Sequence, residues 1–316
     1  METLPLRVRI ARKQSIAQDT WLFELRRENG ELPAFDAGSH IAVQTPAGQV
    51  RRYSLSNAPF ERSHYAIAVK REPRGQGGSL SLTDQTREGD WLSISAPQNY
   101  FPLATAARRS LLIAGGIGIT PLLSMARHLQ AAGHPFRLVY LTRAPGQTAF
   151  LDDCTRSPMA AHTVLHHTYG DPRRAFDLAA LLAERGQDEH LYCCGSRRLM
   201  QAVRTAASHW PAGTLHFEDF GSAQPTHESD RPYTVRLARS GLTVEVRPGI
   251  TMLAALREAG IDAPSSCESG TCGACRTRVL AGQAEHRDFI LDEDEQERDV
   301  IICVSRAQGP ELVLDL

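Results

Sequence analysis

Apolar and polar positions alternate in short runs over residues 1 to about 104, as in Leu6-Arg7-Val8-Arg9-Ile10, Trp21-Leu22-Phe23-Glu24-Leu25, Ile41-Ala42-Val43 and Tyr65-Ala66-Ile67-Ala68-Val69. A period of two, broken by Gly, Pro and Asn, predicts an antiparallel β-barrel. From about 105 to 220 the pattern changes: apolar runs at 111–114, 137–141 and 191–193 alternate with helical stretches, and residues 122–132 read as a helix. That alternation predicts a parallel α/β sheet. His216-Phe217-Glu218-Asp219-Phe220 reads as its last strand, with Phe220 at the end. Residues 221–232, GSAQPTHESDRP, are polar and linker-like. Beyond them the pattern predicts a hairpin of 233–237 and 242–246 around Ser240-Gly241, a helix over 251–259 stopped by Gly260, and strands at 276–280, around Cys303 and at 312–316. An acidic helical turn is expected at 292–297. One helix on a small mixed sheet is an α+β unit, so the chain divides into domains at 1–104, 105–224 and 231–316.

The length of 316 residues accommodates two or three such cores, and a formal net charge of -1 gives no sign of a nucleic-acid partner. No run of eighteen or more apolar residues suggests a membrane span, and the N-terminus alternates like a strand rather than showing a signal-peptide design. A cytoplasmic location is expected.

The chemistry concentrates in Cys267-Glu268-Ser269-Gly270-Thr271-Cys272-Gly273-Ala274-Cys275 and in the later Cys303. The spacing C-x4-C-x2-C with a distant fourth cysteine is the plant-type pattern for a [2Fe–2S] cluster. Gly270 and Gly273 suit the tight turns that aim backbone N–H groups at the sulfurs. A structural zinc site is the alternative, but it usually pairs two C-x2-C knuckles and only one is present. Seven cysteines without a secretory segment argue against disulfides.

Two stretches of the barrel carry further candidates. Arg51-Arg52-Tyr53-Ser54 groups guanidinium, phenol and hydroxyl, which suits a phosphate beside a flat ring. Lys70 opens a basic run that ends in Gly77-Gly78-Ser79 before a short helix near 79–83, where backbone N–H groups can meet phosphate. Either alone also reads as a solvated basic turn. In the α/β region Gly115-Gly116-Ile117-Gly118-Ile119-Thr120-Pro121 follows a strand, with Thr120 as a helix cap and Pro121 as its first position. The glycines would let the backbone approach a pyrophosphate, although Pro121 stands where the fingerprint has its third glycine. Tyr192-Cys193-Cys194-Gly195-Ser196 should share that sheet edge, with Cys194 over a reactive ring. Buried cysteine is more commonly a small hydrophobe, the reading favoured for Cys193 and Cys154.

All three segments, in this order, closely resemble the phthalate dioxygenase reductase and vanillate demethylase reductase group, over essentially the full length. The resemblance implies an FMN-binding barrel, an NADH domain of the ferredoxin reductase type and a C-terminal plant-type ferredoxin of β-grasp fold. It implies that Arg51, Arg52 and the Gly77-Gly78-Ser79 turn hold the FMN phosphate, with Tyr53 beside the flavin and Ser54 near its N5. Ala68, Val69 and Lys70 would run along the isoalloxazine edge, and Phe220 would stack on its nicotinamide-facing side. Gly116, Gly118, Thr120, Cys194 and Gly195 would seat NADH, and Asp171 would meet the adenosine ribose. Ser196 departs from the proline common after Cys-Gly. Cys267, Cys272, Cys275 and Cys303 would ligate the cluster.

The activity implied is transfer of electrons from NADH through FMN and the [2Fe–2S] centre to a terminal Rieske-type oxygenase, by a monomer. Nicotinamide delivers electrons in pairs and the cluster accepts one at a time, so a flavin must stand between them. A reductase for another acceptor, such as a separate ferredoxin or haem protein, and a redox sensor are the rival readings.

Overall fold

The computed structural model describes residues 3–156, 158–211, 213–220, 226, 227 and 229–316. Half of the expected linker at 221–232, namely 221–225 and 228, lies outside the described residues. The chain forms two compact units, Met1–His216 and Phe217–Leu316.

The first unit opens with β1 (Leu6–Ala17), β2 (Thr20–Arg26), β3 (His40–Gln44), β4 (Val50–Ser54), β5 (Tyr65–Lys70), helix α1 (Gly78–Asp84) and β6 (Trp91–Ile94). They make a six-stranded antiparallel sheet in the order β4-β3-β6-β1-β2-β5. Its two ends meet where Leu55, just past β4, bridges Ile67 of β5 and the Ser56 N–H donates to the Ala66 carbonyl at 2.8 Å. The alternation dictates the core, since Val8, Ile10, Phe23, Leu25, Ile41, Val43, Tyr65, Ile67 and Val69 all fall on the inward face. Each such burial is worth about 1.5–3 kcal/mol.

A second sheet follows: β7 (Arg109–Gly115), α2 (Ile119–Ala131), β8 (Phe136–Thr142), α3 (Leu151–Arg156), β9 (Thr163–His167), α4 (Leu178–Leu182), β10 (Glu189–Cys194), α5 (Arg197–Ala206) and β11 (Leu215–Glu218). Its order is β11-β10-β7-β8-β9, with β10, β7, β8 and β9 paired parallel. The expected parallel sheet is thus present, with β9 as an addition. That strand, Thr-Val-Leu-His-His, is half-buried throughout at the sheet edge and lacks the apolar run that marks its neighbours. The strand order reverses between β7 and β10, the crevice where open α/β sheets take ligands.

The second unit contains β12 (Tyr233–Leu237), β13 (Thr243–Val246), α6 (Met252–Glu258), β14 (Arg276–Ala281), β15 (Ala284–Glu285), α7 (Glu293–Gln296), β16 (Asp299–Ile301), β17 (Arg306–Ala307) and β18 (Glu311–Leu314). A mixed sheet runs β13-β12-β18-β14-β16, parallel only between β12 and β18, and Met252, Leu253, Ala255 and Leu256 of α6 join its core. Thr251 caps α6 by accepting the Ala254 N–H at 3.1 Å, and Gly260 ends it at φ 79. Cys303 differs from expectation. It sits in a turn after β16, closed by the Val304 and Ser305 N–H groups on the Ile301 carbonyl, so its sulfur is not committed to a pleated face. Among the described residues no helix is long and apolar enough to cross a membrane.

Candidate functional site

The cluster loop is built by backbone geometry that few residues tolerate. Gly270 and Gly273 lie at φ 80 and 76, and a Cβ on Gly270 would sit 2.7 Å from Val304 Cγ2. Glu268, at φ 54, takes the same left-handed region with a full side chain, which Arg257 Nη2 holds at 2.8 Å. The resulting turns aim donors at sulfur. Cys272 Sγ accepts from the Cys267 N–H at 3.4 Å, and Cys267 Sγ accepts from the Ser269 N–H at 3.5 Å and the Thr271 hydroxyl at 3.6 Å. The Gly270 N–H serves Cys303 in the same way.

The four sulfurs fall into two hydrogen-bonded pairs, Cys267 with Cys272 and Cys275 with Cys303. The Cys272 hydrogen bond holds the Cys267 thiol down at about 4, and Cys303 lowers Cys275 likewise, while each donor is raised. Each pair therefore sets two sulfurs within hydrogen-bonding reach of one another. Among the described residues no three His, Cys, Asp or Glu side chains converge on a single ion. Two pairs suit a binuclear core instead, because each iron of a [2Fe–2S] cluster takes two protein sulfurs. Four cysteine sulfurs in two pairs are a donor set that fits that group.

In the first unit the fold joins the two basic stretches that the sequence separates. Arg51 Nη2 donates to Gln76 Oε1 at 3.0 Å, Gln49 Nε2 donates to the Gln76 carbonyl at 2.7 Å, and a Cβ on Gly78 would lie 2.7 Å from Arg51 Cγ. Gly77, at φ 85, turns the chain into α1 without a side-chain cap, and Ser79 Oγ accepts the Glu72 N–H at 3.0 Å. Strand alternation puts Arg51 and Tyr53 on one face of β4 and the exposed Arg52 and buried Ser54 on the other. Arg51 is thereby joined to the glycine turn. Burial pushes the Tyr53 phenol up to about 12, against the pull of Arg51. Ala68 and Val69 are buried on β5, and Lys70 reaches Glu72 at 3.8 Å.

At the carboxyl edge of the parallel sheet the glycines divide into two kinds. A Cβ on Gly118 would lie 2.3 Å from the Cys194 carbonyl oxygen, and one on Gly195 would lie 3.0 Å from Gly115 Cα. These glycines let the β7 and β10 loops touch. Gly116 is different: it lies at φ 54 with nothing within 4 Å of its Cβ position, so its outward side is open. Thr120 does not cap α2. Gly118 holds the cap position, and Thr120 Oγ1 donates back to the Ile117 carbonyl at 3.1 Å, because a 3-10 turn over Gly116–Gly118 runs directly into the helix and moves its start forward. Pro121 falls at the third helical position, still within the turn whose N–H groups need no intrahelical partner. Ser196 is the N-cap of α5, accepting the Leu199 N–H at 3.3 Å, which gives the departure from proline a local use. Cys193 and Cys194 are fully buried, and burial alone pushes the Cys193 thiol up.

Asp171 also has local work. It caps the turn Pro172–Arg174 through the Arg173 N–H at 3.0 Å and binds the Arg173 guanidinium at 3.1 and 3.0 Å, which lowers its carboxyl. Beside it Tyr169, at φ 51, carries Arg174 4.7 Å above its exposed ring. Phe220 lies two residues past β11 and is 44% exposed, so it is not core. A 420 Å³ cleft in the second unit, lined by Gln283, His286, Glu293 and Gln308 among others, contains none of these residues.

The contacts joining the two sheets of the first unit were not legible in the sequence. Ser124 Oγ donates to the Asn57 carbonyl at 2.8 Å and Arg127 Nη1 to the Ser56 carbonyl at 2.7 Å, pinning α2 to the loop after Ser54. Their i, i+3 spacing is the only signal. As a result β5 runs beside the Gly116–Gly118 turn, and Ala68 packs in one core with Ala114, Tyr192 and Cys194.

Family models match residues 7–102 as an oxidoreductase FAD-binding domain and residues 235–308 as a 2Fe-2S iron-sulfur cluster binding domain. The chain is 49% identical over 313 residues to a phthalate dioxygenase reductase of Burkholderia cepacia, covering 98% of this chain and 97% of that one. This chain belongs to the phthalate dioxygenase reductase family. Another relative, a vanillate O-demethylase oxidoreductase of Pseudomonas putida, is 44% identical, covering 95% of this chain and 96% of that one. A solved phthalate dioxygenase reductase, described as a modular structure for electron transfer from pyridine nucleotides to [2Fe–2S], superposes with TM-score 0.71 at 48% identity, covering 98% of each chain. As a member of the phthalate dioxygenase reductase family the protein is a flavin and [2Fe–2S] oxidoreductase of the oxygenase-reductase kind.

Proposed function

We propose that this chain, as a cytoplasmic monomer, draws electrons from NADH through FMN and a [2Fe–2S] cluster and delivers them to a Rieske-type oxygenase. The domains serving these steps are 1–104, 105–224 and 231–316. A bound flavin would supply the conversion of a hydride into two single electrons. The observation that carries the reading is the adjacency of β5 to the Gly116–Gly118 turn, with Ala68 and Cys194 in one core. A ring along Ala68, Val69 and Lys70 and a nicotinamide seated by Gly116, Gly118, Thr120, Cys194 and Gly195 would then be neighbours, as hydride transfer requires.

Arg51 and the Gly77-Gly78-Ser79 turn are joined by hydrogen bonds and steric contact, which supports a single phosphate there, held by Arg51, Arg52 and the turn. Tyr53 would border the ring and Ser54 approach its N5, while exposed Phe220 would cover the nicotinamide-facing side. Asp171 supports NADH, since its carboxylate disfavours a 2′-phosphate, although Arg173 beside it works the other way. The paired thiolates of Cys267, Cys272, Cys275 and Cys303 would hold the cluster.

The test is the visible spectrum of the purified protein followed by identification of the released flavin. Overlapping flavin and iron–sulfur bands bleached by NADH, with FMN released on denaturation, are expected. FAD in the extract would overturn the FMN assignment, and equal kcat/KM for NADH and NADPH would overturn that of Asp171. Reduction of the flavin without bleaching of the cluster would overturn the path itself.

A further inference from the structure

Helix α2 carries two polar side chains that belong to neither cofactor seat. Ser124 is fully buried in mid-helix, where a serine hydroxyl ordinarily turns back to the carbonyl four residues earlier. Here it reaches out of the helix and donates to the Asn57 carbonyl at 2.8 Å. One turn on, Arg127 Nη1 donates to the Ser56 carbonyl at 2.7 Å, while its Nη2 holds Asp153 of α3 at 2.6 Å. Residues three apart share a helix face, so both bonds leave α2 on the same side.

The loop they seize is itself tied down. Ser56 and Asn57 are buried, and Asn57 Oδ1 accepts the Ala66 N–H at 2.9 Å while its Nδ2 donates to the Glu61 and His64 carbonyls at 3.1 Å each. Ser56 Oγ donates to the Ala66 carbonyl at 3.1 Å. The loop therefore moves with β4, which ends at Ser54, and with the start of β5, just before Ala68. At its other end α2 continues directly from the Gly116–Gly118 turn, and Ser124 lies about 9 Å along the helix from Gly118. One short rod thus ties the nicotinamide seat to the flavin seat.

We propose that Ser124 and Arg127 are positioning residues that hold the nicotinamide seat at hydride-transfer distance from the flavin. The proposal rests on the reading that NADH reduces a flavin lying along β5. In that step the C4–H bond of the nicotinamide breaks and the hydrogen leaves with both electrons to form an N–H bond at flavin N5. NADH becomes NAD+ and the flavin becomes its reduced anion. The two reacting atoms must lie roughly 3 to 3.5 Å apart, and a misplacement of about 1 Å costs on the order of a hundredfold. A buried carbonyl deprived of its donor is driven toward water or another partner, so loss of either bond loosens the loop on α2. A second link, from the Gln18 N–H to the Gly146 carbonyl at 2.8 Å, remains and keeps the two sheets together.

The test uses the complete, flavin-loaded Ser124→Ala protein, whose flavin content should match wild type. Before NADH is added, amide hydrogen exchange at Ser56 and Ala66 should rise by about tenfold. On rapid mixing with NADH the limiting rate of flavin reduction should fall by about tenfold, with less than about a twofold change in the half-saturating NADH concentration. The long-wavelength charge-transfer absorbance of the stacked rings should weaken in step. Raised exchange with unaltered rate and absorbance would overturn the proposal, because the bond would then serve the fold alone, and unchanged exchange would overturn it too. Should Ser124→Ala lose its flavin, Arg127→Met, which keeps the apolar stem, should show the same tenfold slowing, and an unaltered rate there would overturn the positioning role. A wild-type flavin that NADH leaves oxidised would overturn the underlying reading together with this one, whereas equal rates in wild type and variant overturn the positioning role alone.

Discussion

The cluster loop and the carboxyl edge of the parallel sheet both rely on glycine, for opposite reasons. Gly270 and Gly273 occupy positive φ, which the wrap around two pairs of sulfurs demands. Gly118, at φ -62, has a conformation open to any residue and is glycine only because Cys194 O would lie 2.3 Å from its Cβ. One loop needs conformational freedom and the other needs room. Of the glycines in these two loops, Gly116 alone combines positive φ with empty space beside it, as a backbone approached by a ligand should.

Cys272→Ser should produce the largest effect, replacing one thiolate of a pair with a poor hard ligand. Cluster absorbance should vanish, and reduction of the oxygenase should fall by at least about tenfold. NADH-dependent ferricyanide reduction should persist, because the flavin sheet and all of the nucleotide sheet but the end of β11 belong to the other compact unit. Retained oxygenase turnover in a verified cluster-free protein would mean that the partner draws directly on flavin.

Gly118→Ala comes next, with an expected loss of about 3 kcal/mol in chemical unfolding of the first unit, since the obstacle is backbone and cannot rotate away. Gly116→Ala should cost only about 1–2 kcal/mol from its positive φ, yet raise the KM for NADH. If the two variants prove equally destabilised, the division of glycines into spacers and ligand contacts is wrong. Gly270→Ala should resemble neither: strain and the Val304 contact together should cost about 2 kcal/mol, seen as faster loss of the cluster.

The smallest effect concerns His216, which stacks 4.6 Å from Tyr192 and meets His190 Nδ1 at 2.9 Å. Burial, then the neighbouring His190, lowers its pKa to about 4. A depressed histidine binds fewer protons folded than unfolded, so its contribution is complete above about pH 6.5 and is lost as pH falls toward 4. His216→Phe should flatten the decline of Tm over that window, and an unchanged slope would show that His216 takes up its proton freely in the fold.

The amino-acid pattern by itself determined the barrel, the parallel sheet, the mixed sheet with its helix, and the cluster ligands, because periodicity and cysteine spacing are local signals. It also marked Arg51 and Gly77-Gly78-Ser79 as separate candidates. Their union through Gln76, the pairing of Cys275 with a turn cysteine 28 positions later, and the pinning of α2 by Ser124 and Arg127 arise only when distant strands close on one another. Thr120 shows the limit from the other side. As a residue before proline it has the chemistry of a cap, but the helix start is set by where the Gly116–Gly118 turn must pass Cys194. Local propensity names what a residue can do, and packing against residues far along the chain decides which of those things it does.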